Sequence, residues 1–137
     1  MKFKTVMIIK ALVCLGFGPL LLFVPGWLLN LLGTSFGPGA ALTAREYGAA
    51  LIGNLLLTWL ARNADESPVR RAIIWNLFIY DAIALVVTLI ILISGGLNFL
   101  GWGIVAVYLF FTIFFGLLLL PKTHRQNMTE MGGVTRK

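Results

Sequence analysis

The chain has 137 residues, of which 59% are hydrophobic and only 12% charged, and its mean hydropathy is +0.94. A soluble domain of this length cannot carry that balance. The formal charge of +6 does not point to nucleic acid, because the basic residues gather at the ends of apolar runs, where they set orientation rather than hold a polyanion.

Four apolar runs of spanning length predict an all-α integral membrane protein, a four-helix bundle with spans at about 5–24, 44–61, 72–93 and 99–120. They form one domain over 1–121, followed by a polar tail at 122–137 that is expected to be mobile and cytoplasmic. The N-terminus resembles a secretory signal, with Lys2 and Lys4 before an apolar stretch, but that stretch runs far past a typical signal core and no small-x-small cleavage site follows. Nor does it suit lipoprotein processing, since Val13 is too bulky before Cys14. It is expected to persist as the first helix, kinked between Cys14 and Pro19 and stopped by Pro25 and Gly26. The next residues, Trp27 to Leu32, read as a short segment in the outer interface, and Gly33 to Gly39 as a loop.

The second span opens on Thr43-Ala44-Arg45-Glu46, which fits a capping box. Within it, Ala49-x-x-x-Gly53 offers a face for close helix approach. Ser67 and Pro68 predict the N-cap and first position of the third span. That span ends at Ser94-Gly95-Gly96, and the fourth is expected to be capped by Asn98 and ended by Pro121. Ten of the eleven Lys and Arg residues fall on the side shared by both termini and the 62–71 loop, leaving only Arg45 on the other. By the positive-inside rule both termini are expected in the cytoplasm of a bacterial-type inner membrane. An even helix count also leaves room for a pseudo-symmetry of two hairpins.

Asp81 is the organising residue. It stands near the middle of Ala72–Ile93, a run ~33 Å long as a helix, where an ionisable group costs at least ~2.5 kcal/mol and is rarely left facing lipid. Counted from the flanking basic residues, Asp81, Asn54, Thr112 and Cys14 share a layer ~12 to 15 Å deep. Helical spacing places Lys10, Cys14 and Gly18 on one stripe, Tyr47, Ala50, Asn54 and Thr58 on a second, Leu77, Asp81, Ala84 and Thr88 on a third, and Tyr108, Thr112 and Gly116 on a fourth. Turned inward, these stripes make a polar seam in which Asp81 bonds to Asn54 or Thr112, or pairs with Lys10; Arg45, near the outer boundary, is a more distant partner.

The candidate polar or ligand-binding residues are therefore Asp81, Asn54, Lys10, Thr112, Tyr108 and Arg45. Three roles compete for them: a structural lock, the polar end of a pocket for a lipid or quinone-like molecule, and proton-coupled transport by an oligomer of small subunits. No catalytic constellation, metal-ligand spacing or phosphate loop is present, the lone histidine His124 falls in the tail, and Cys14 is the lone cysteine. A non-enzymatic protein without cofactor or metal is expected. Its partners are expected to be membrane lipids, a hydrophobic small molecule and further copies of itself or a larger membrane complex.

The Pro19 and Pro25 breaks, the Arg45-Glu46-Tyr47-Gly48-Ala49-Ala50 opening of the second span and Leu100-Gly101-Trp102 at the start of the last resemble small bacterial membrane proteins near the DoxX-like group. The resemblance implies a binding or accessory role linked to respiratory quinone chemistry, and no functional residue is carried over from it.

Overall fold

The structure, a computed structural model, describes residues 2–121. The expected tail at 122–137, with His124, lies outside the described residues. Five helices and no strands are found among the described residues: α1 (Phe3–Phe23), α2 (Pro25–Leu31), α3 (Pro38–Ala61), α4 (Pro68–Ile93) and α5 (Gly101–Leu119).

Prolines and glycines set the boundaries. Pro25 disfavours a helical residue before it, and Val24, non-helical at φ −131° and ψ 50°, ends α1 while Pro25 starts α2. Pro19, expected to kink the first helix, sits inside α1, which continues to Phe23. Gly33, at φ +80°, closes α2 in a Schellman arrangement. Its N–H donates to the Asn30 carbonyl and that of Thr34 to the Leu29 carbonyl, both at 3.0 Å. Gly95, at φ +78°, closes α4 the same way, with Gly95 N–H on Leu92 and Gly96 N–H on Ile91 at 3.1 and 2.9 Å. The expected Ser67-Pro68 start of α4 is present, the Ser67 hydroxyl accepting from Arg70 N–H at 3.1 Å.

Two local expectations are corrected. The second long helix begins at Pro38 with Gly37 as its N-cap, so Thr43 lies inside α3 and no capping box forms. The Thr43 hydroxyl instead donates back to the Gly39 carbonyl at 3.0 Å. The sequence pattern missed this because Pro38 at a first helical position starts the helix before the polar signal does. Asn98 does not cap α5, whose N-cap is Leu100; its Oδ1 accepts from Leu100 N–H at 3.0 Å in the turn before the helix, while its Nδ2 and N–H donate to the Leu31 and Leu32 carbonyls at 2.7 and 2.9 Å. It therefore ties the end of α2 to the start of α5.

α1 packs along α3 and α4 along α5, while α1 also meets α5 and α2 leans on α1 and α3. The α1–α3 approach is closest at Gly18 and Gly48: a Cβ added at Gly48 would lie 2.7 Å from the Leu22 nitrogen and 2.8 Å from the Gly18 oxygen. The small-residue face is thus displaced by one position from the expected Ala49–Gly53 pair. Both of those residues are exposed, and a Cβ on Gly53 would meet nothing within 4 Å.

α1, α4 and α5 are each long and apolar enough to cross a membrane. Only 17% of the apolar windows of α4 and α5 is buried inside the protein, so most of their Leu, Ile and Val side chains face outward, where only an apolar solvent suits them. α3, with 24 residues, is long enough, but Arg45, Glu46 and Asn54 dilute its hydropathy and it does not qualify on composition alone.

The core is split along the bundle. Phe3, Val6, Met7, Ile74, Leu77, Phe111 and Phe115 form one cluster near the α1 N-terminus. Cys14, Leu21, Leu28, Ala44 and Leu51 form a second toward the other end. Between the two lies a layer of polar side chains.

Candidate functional site

Lys10 and Asp81 meet in that layer. Their side chains are 3% and 0% exposed, and the Lys10 ammonium donates to Asp81 Oδ1 as a salt bridge. Lys10 reaches this depth because α1 carries it on the stripe shared with Cys14 and Gly18, all three buried. The aromatic rings beside it complete its surroundings: the ammonium lies 4.4 Å from the Phe111 ring centre and 5.3 Å from that of Tyr80, within range of favourable cation–π attraction. Each ion alone would be costly in such a place, and together they cancel.

Next to the pair is a cluster of tyrosines. Tyr80 donates to the Tyr47 hydroxyl at 2.6 Å, and Tyr47 shares a second hydrogen bond with Tyr108. These are the three tyrosines of the whole chain, contributed by α3, α4 and α5. Two polar atoms nearby are buried without a partner, Asp81 Oδ2 and Thr112 Oγ1.

Of the partners expected for Asp81, the structure gives Lys10. Thr112 lies in the buried layer but makes no bond to Asp81. Asn54 is half-buried and lends its backbone carbonyl to the Thr58 hydroxyl at 2.7 Å. Arg45 is exposed and takes no part in the Lys10–Asp81 pair. Tyr108 joins the cluster through Tyr47. Tyr80 escapes the sequence pattern because, adjacent to Asp81, it falls off the stripe of residues three and four apart that Asp81 defines. The signal was present in composition, since each tyrosine lies in an apolar helix within reach of the Asp81 layer.

Above the polar layer lies a cavity of about 550 Å³ bounded by residues of all five helices. Its floor is made by Lys10, Cys14, Tyr47 and Tyr108. The walls are apolar, with Phe17, Leu51, Val87 and Val107 among them and Thr88 as a polar exception, and Leu28, Leu32, Thr34 and Leu97 line the end away from Lys10. From Lys10 to Leu21 the cavity follows α1 for ~17 Å. The α1–α3 and α4–α5 pairs pack against each other at the Phe-rich end, and the cavity lies between them beyond the polar layer. A concave, mostly apolar space with a few convergent polar groups is the usual form of a small-molecule site.

Among the described residues no group of three His, Cys, Asp or Glu side chains is placed to hold a metal ion. The fold and site together define a helical protein with helices apolar enough to span a membrane and an internal apolar cavity whose floor carries a lysine paired with a buried aspartate. No protein-family model, no curated protein and no solved structure matches the chain.

Proposed function

We propose that this is a four-span inner-membrane protein that binds a hydrophobic ligand, lipid or quinone-like, and acts as a non-enzymatic accessory protein rather than as a catalyst. The observation that carries the reading is the cavity of about 550 Å³ ending on Lys10, Tyr47 and Tyr108. Its size falls within the ~300 to 1,000 Å³ range of ligand pockets, and its walls suit an alkyl or prenyl chain.

Membership of α3 in the spanning bundle is supported by its packing along α1 at Gly18 and Gly48, since a helix in contact with a spanning helix over its length shares its environment. Cytoplasmic termini are supported by the distribution of Lys and Arg. The four tryptophans are 45% to 59% exposed and stand near the two ends of the helices, as an aromatic belt requires. A relationship to the DoxX-like group belongs to this proposal and is not its basis.

Native mass spectrometry of protein extracted in mild detergent and supplied with membrane lipid extract tests the reading. An apolar adduct is expected on the wild type and diminished on Thr88→Trp, whose indole protrudes from the wall into the cavity. A wild type without adduct, or an adduct undiminished in Thr88→Trp, overturns it.

A further inference from the structure

A second recess, of about 920 Å³, opens where the α1 N-terminus, the start of α4 and the end of α5 come together. It is separate from the cavity described above, since no residue lines both. Three basic side chains, Lys2, Arg70 and Arg71, stand around it against one acidic side chain, Glu66. Much of the remaining wall is apolar, with Phe3, Ile74 and Leu118 in it.

The sequence sorts these groups by depth. α4 starts at Pro68, so Arg70 and Arg71 fall in its first turn and Ile74 lies one turn, ~5 Å, further in. Lys2 precedes α1 and Phe3 opens it, while Leu118 stands one residue before the end of α5. Charge therefore sits at the rim and oil begins a turn inside it. α1, α4 and α5 are the three helices apolar enough to cross a membrane, which puts this rim at the level of the lipid headgroups.

Arg70 is fixed in place. Its guanidinium lies 4.0 Å from the Phe3 ring centre and donates to the Ala64 carbonyl at 3.2 Å, which uses one of its five N–H donors. Lys2 and Arg71 are exposed, and neither is paired with a carboxylate among the described residues. The recess thus presents an excess of positive charge beside an apolar wall. A zwitterionic lipid would bring its own ammonium into that field, and a small aqueous anion would gain nothing from Phe3, Ile74 and Leu118. The chain beyond Pro121 has the wrong sign, with Lys122, Arg125, Arg136 and Lys137 against Glu130.

From this we infer that the recess seats an anionic phospholipid, its phosphate on Lys2, Arg70 and Arg71 and its acyl chains along Ile74 and Leu118. Basic pockets between membrane helices take such headgroups, and guanidinium groups bind phosphate through paired, charge-assisted hydrogen bonds. The inference rests on the membrane placement of α1, α4 and α5 and is independent of what fills the cavity.

The test uses the full chain in nanodiscs of equimolar phosphatidylglycerol and phosphatidylcholine. Native mass spectrometry reads the lipid that stays bound on release, and circular dichroism checks the fold of each variant. Wild type is expected to retain phosphatidylglycerol in preference to phosphatidylcholine. Each basic residue near a membrane surface is worth about five-fold in anionic lipid binding, so Arg71→Gln is expected to lower the preference about five-fold and Lys2→Gln/Arg71→Gln to remove it. Lys4→Gln deletes the same charge from an exposed position at the same end, outside the recess, and is expected to leave the preference intact. Equal retention of the two lipids by the wild type, or a loss in Lys4→Gln as large as in Arg71→Gln, overturns the inference. Displacement of the lipid by millimolar inorganic phosphate makes the recess an aqueous anion site and overturns it too. A phosphatidylglycerol adduct lost in Thr88→Trp but kept in Lys2→Gln/Arg71→Gln belongs to the cavity, which overturns the inference and leaves the cavity reading in place.

Discussion

Replacing one member of the Lys10–Asp81 pair strands the other in a site where its side chain is no more than 3% exposed. At an effective dielectric of ~20, opposite unit charges ~4 Å apart attract by about 4 kcal/mol, in line with the ~3 to 5 kcal/mol lost when one partner of a buried pair is removed. Lys10→Met and Asp81→Val, each close in volume to the native side chain, are therefore each expected to destabilise the fold by ~3 to 5 kcal/mol. The double variant removes both ions and the desolvation cost they carry. Its stability is expected within ~1 to 2 kcal/mol of the wild type, on either side. The cycle is measured by reversible unfolding in mixed micelles, following tryptophan fluorescence and far-ultraviolet circular dichroism. Additive losses in the double variant would refute the claim that the two ions exist for each other. A coupling of only ~0.6 kcal/mol, the average for polar contacts between membrane helices, would show the pair to be an ordinary hydrogen bond.

Gly48→Ala is expected to cost ~1 to 3 kcal/mol in the same unfolding assay, because its Cβ must displace helix backbone. Gly53→Ala, which meets open space, is expected to be neutral or to stabilise by up to ~1 kcal/mol through helix propensity. Asn98→Ala removes two side-chain hydrogen bonds that join α2 to α5 and is expected to cost ~1 kcal/mol at this exposed position, with faster amide exchange at Leu100. In a Cys14→Ala background, a cysteine at Asp65 is expected to react with an impermeant maleimide only after permeabilisation, whereas one at Ser94 reacts in intact cells; the opposite pattern would invert the topology. For the transport alternative, wild-type proteoliposomes are expected to show no proton flux beyond that of Asp81→Asn liposomes under an imposed gradient, and a wild-type flux abolished by the substitution would favour transport over binding.

The all-helical class, the Ser67 cap and the glycine turn after α4 were legible because each depends on local chemistry: an apolar run, a hydroxyl before proline, a residue free to take positive φ. Lys10 was legible as a partner for Asp81 because it shares a stripe with Cys14, which lies at the depth of Asp81, and its long side chain reaches along the helix to that layer. Which of three candidate partners the acid would take was not legible, since the choice among Asn54, Thr112 and Lys10 turns on helix rotation, to which a period of 3.6 residues is nearly blind within one turn. The same one-residue uncertainty moved the close helix contact from Ala49–Gly53 to Gly48. The cavity was beyond sequence pattern altogether, because it lies between two helix pairs, and no local signal in α1 or α5 reports the space left between them. α3 is proposed as a fourth span on its packing against α1, since its own hydropathy is diluted by Arg45, Glu46 and Asn54.

The account turns on a deep carboxylate facing its sister helices and neutralised by a lysine at the floor of an apolar cavity. Solid-state NMR of the full chain in lipid bilayers, with nitrogen-15 in the Lys10 ammonium and carbon-13 in the Asp81 carboxyl, measures that arrangement without the perturbation of a variant. Strong dipolar recoupling at salt-bridge separation, below about 4 Å between nitrogen and oxygen, together with dephasing of the same signals by tyrosine ring carbons, is the result predicted. A carboxyl signal with no coupling to Lys10 and with magnetisation transfer from lipid acyl chains instead would contradict it.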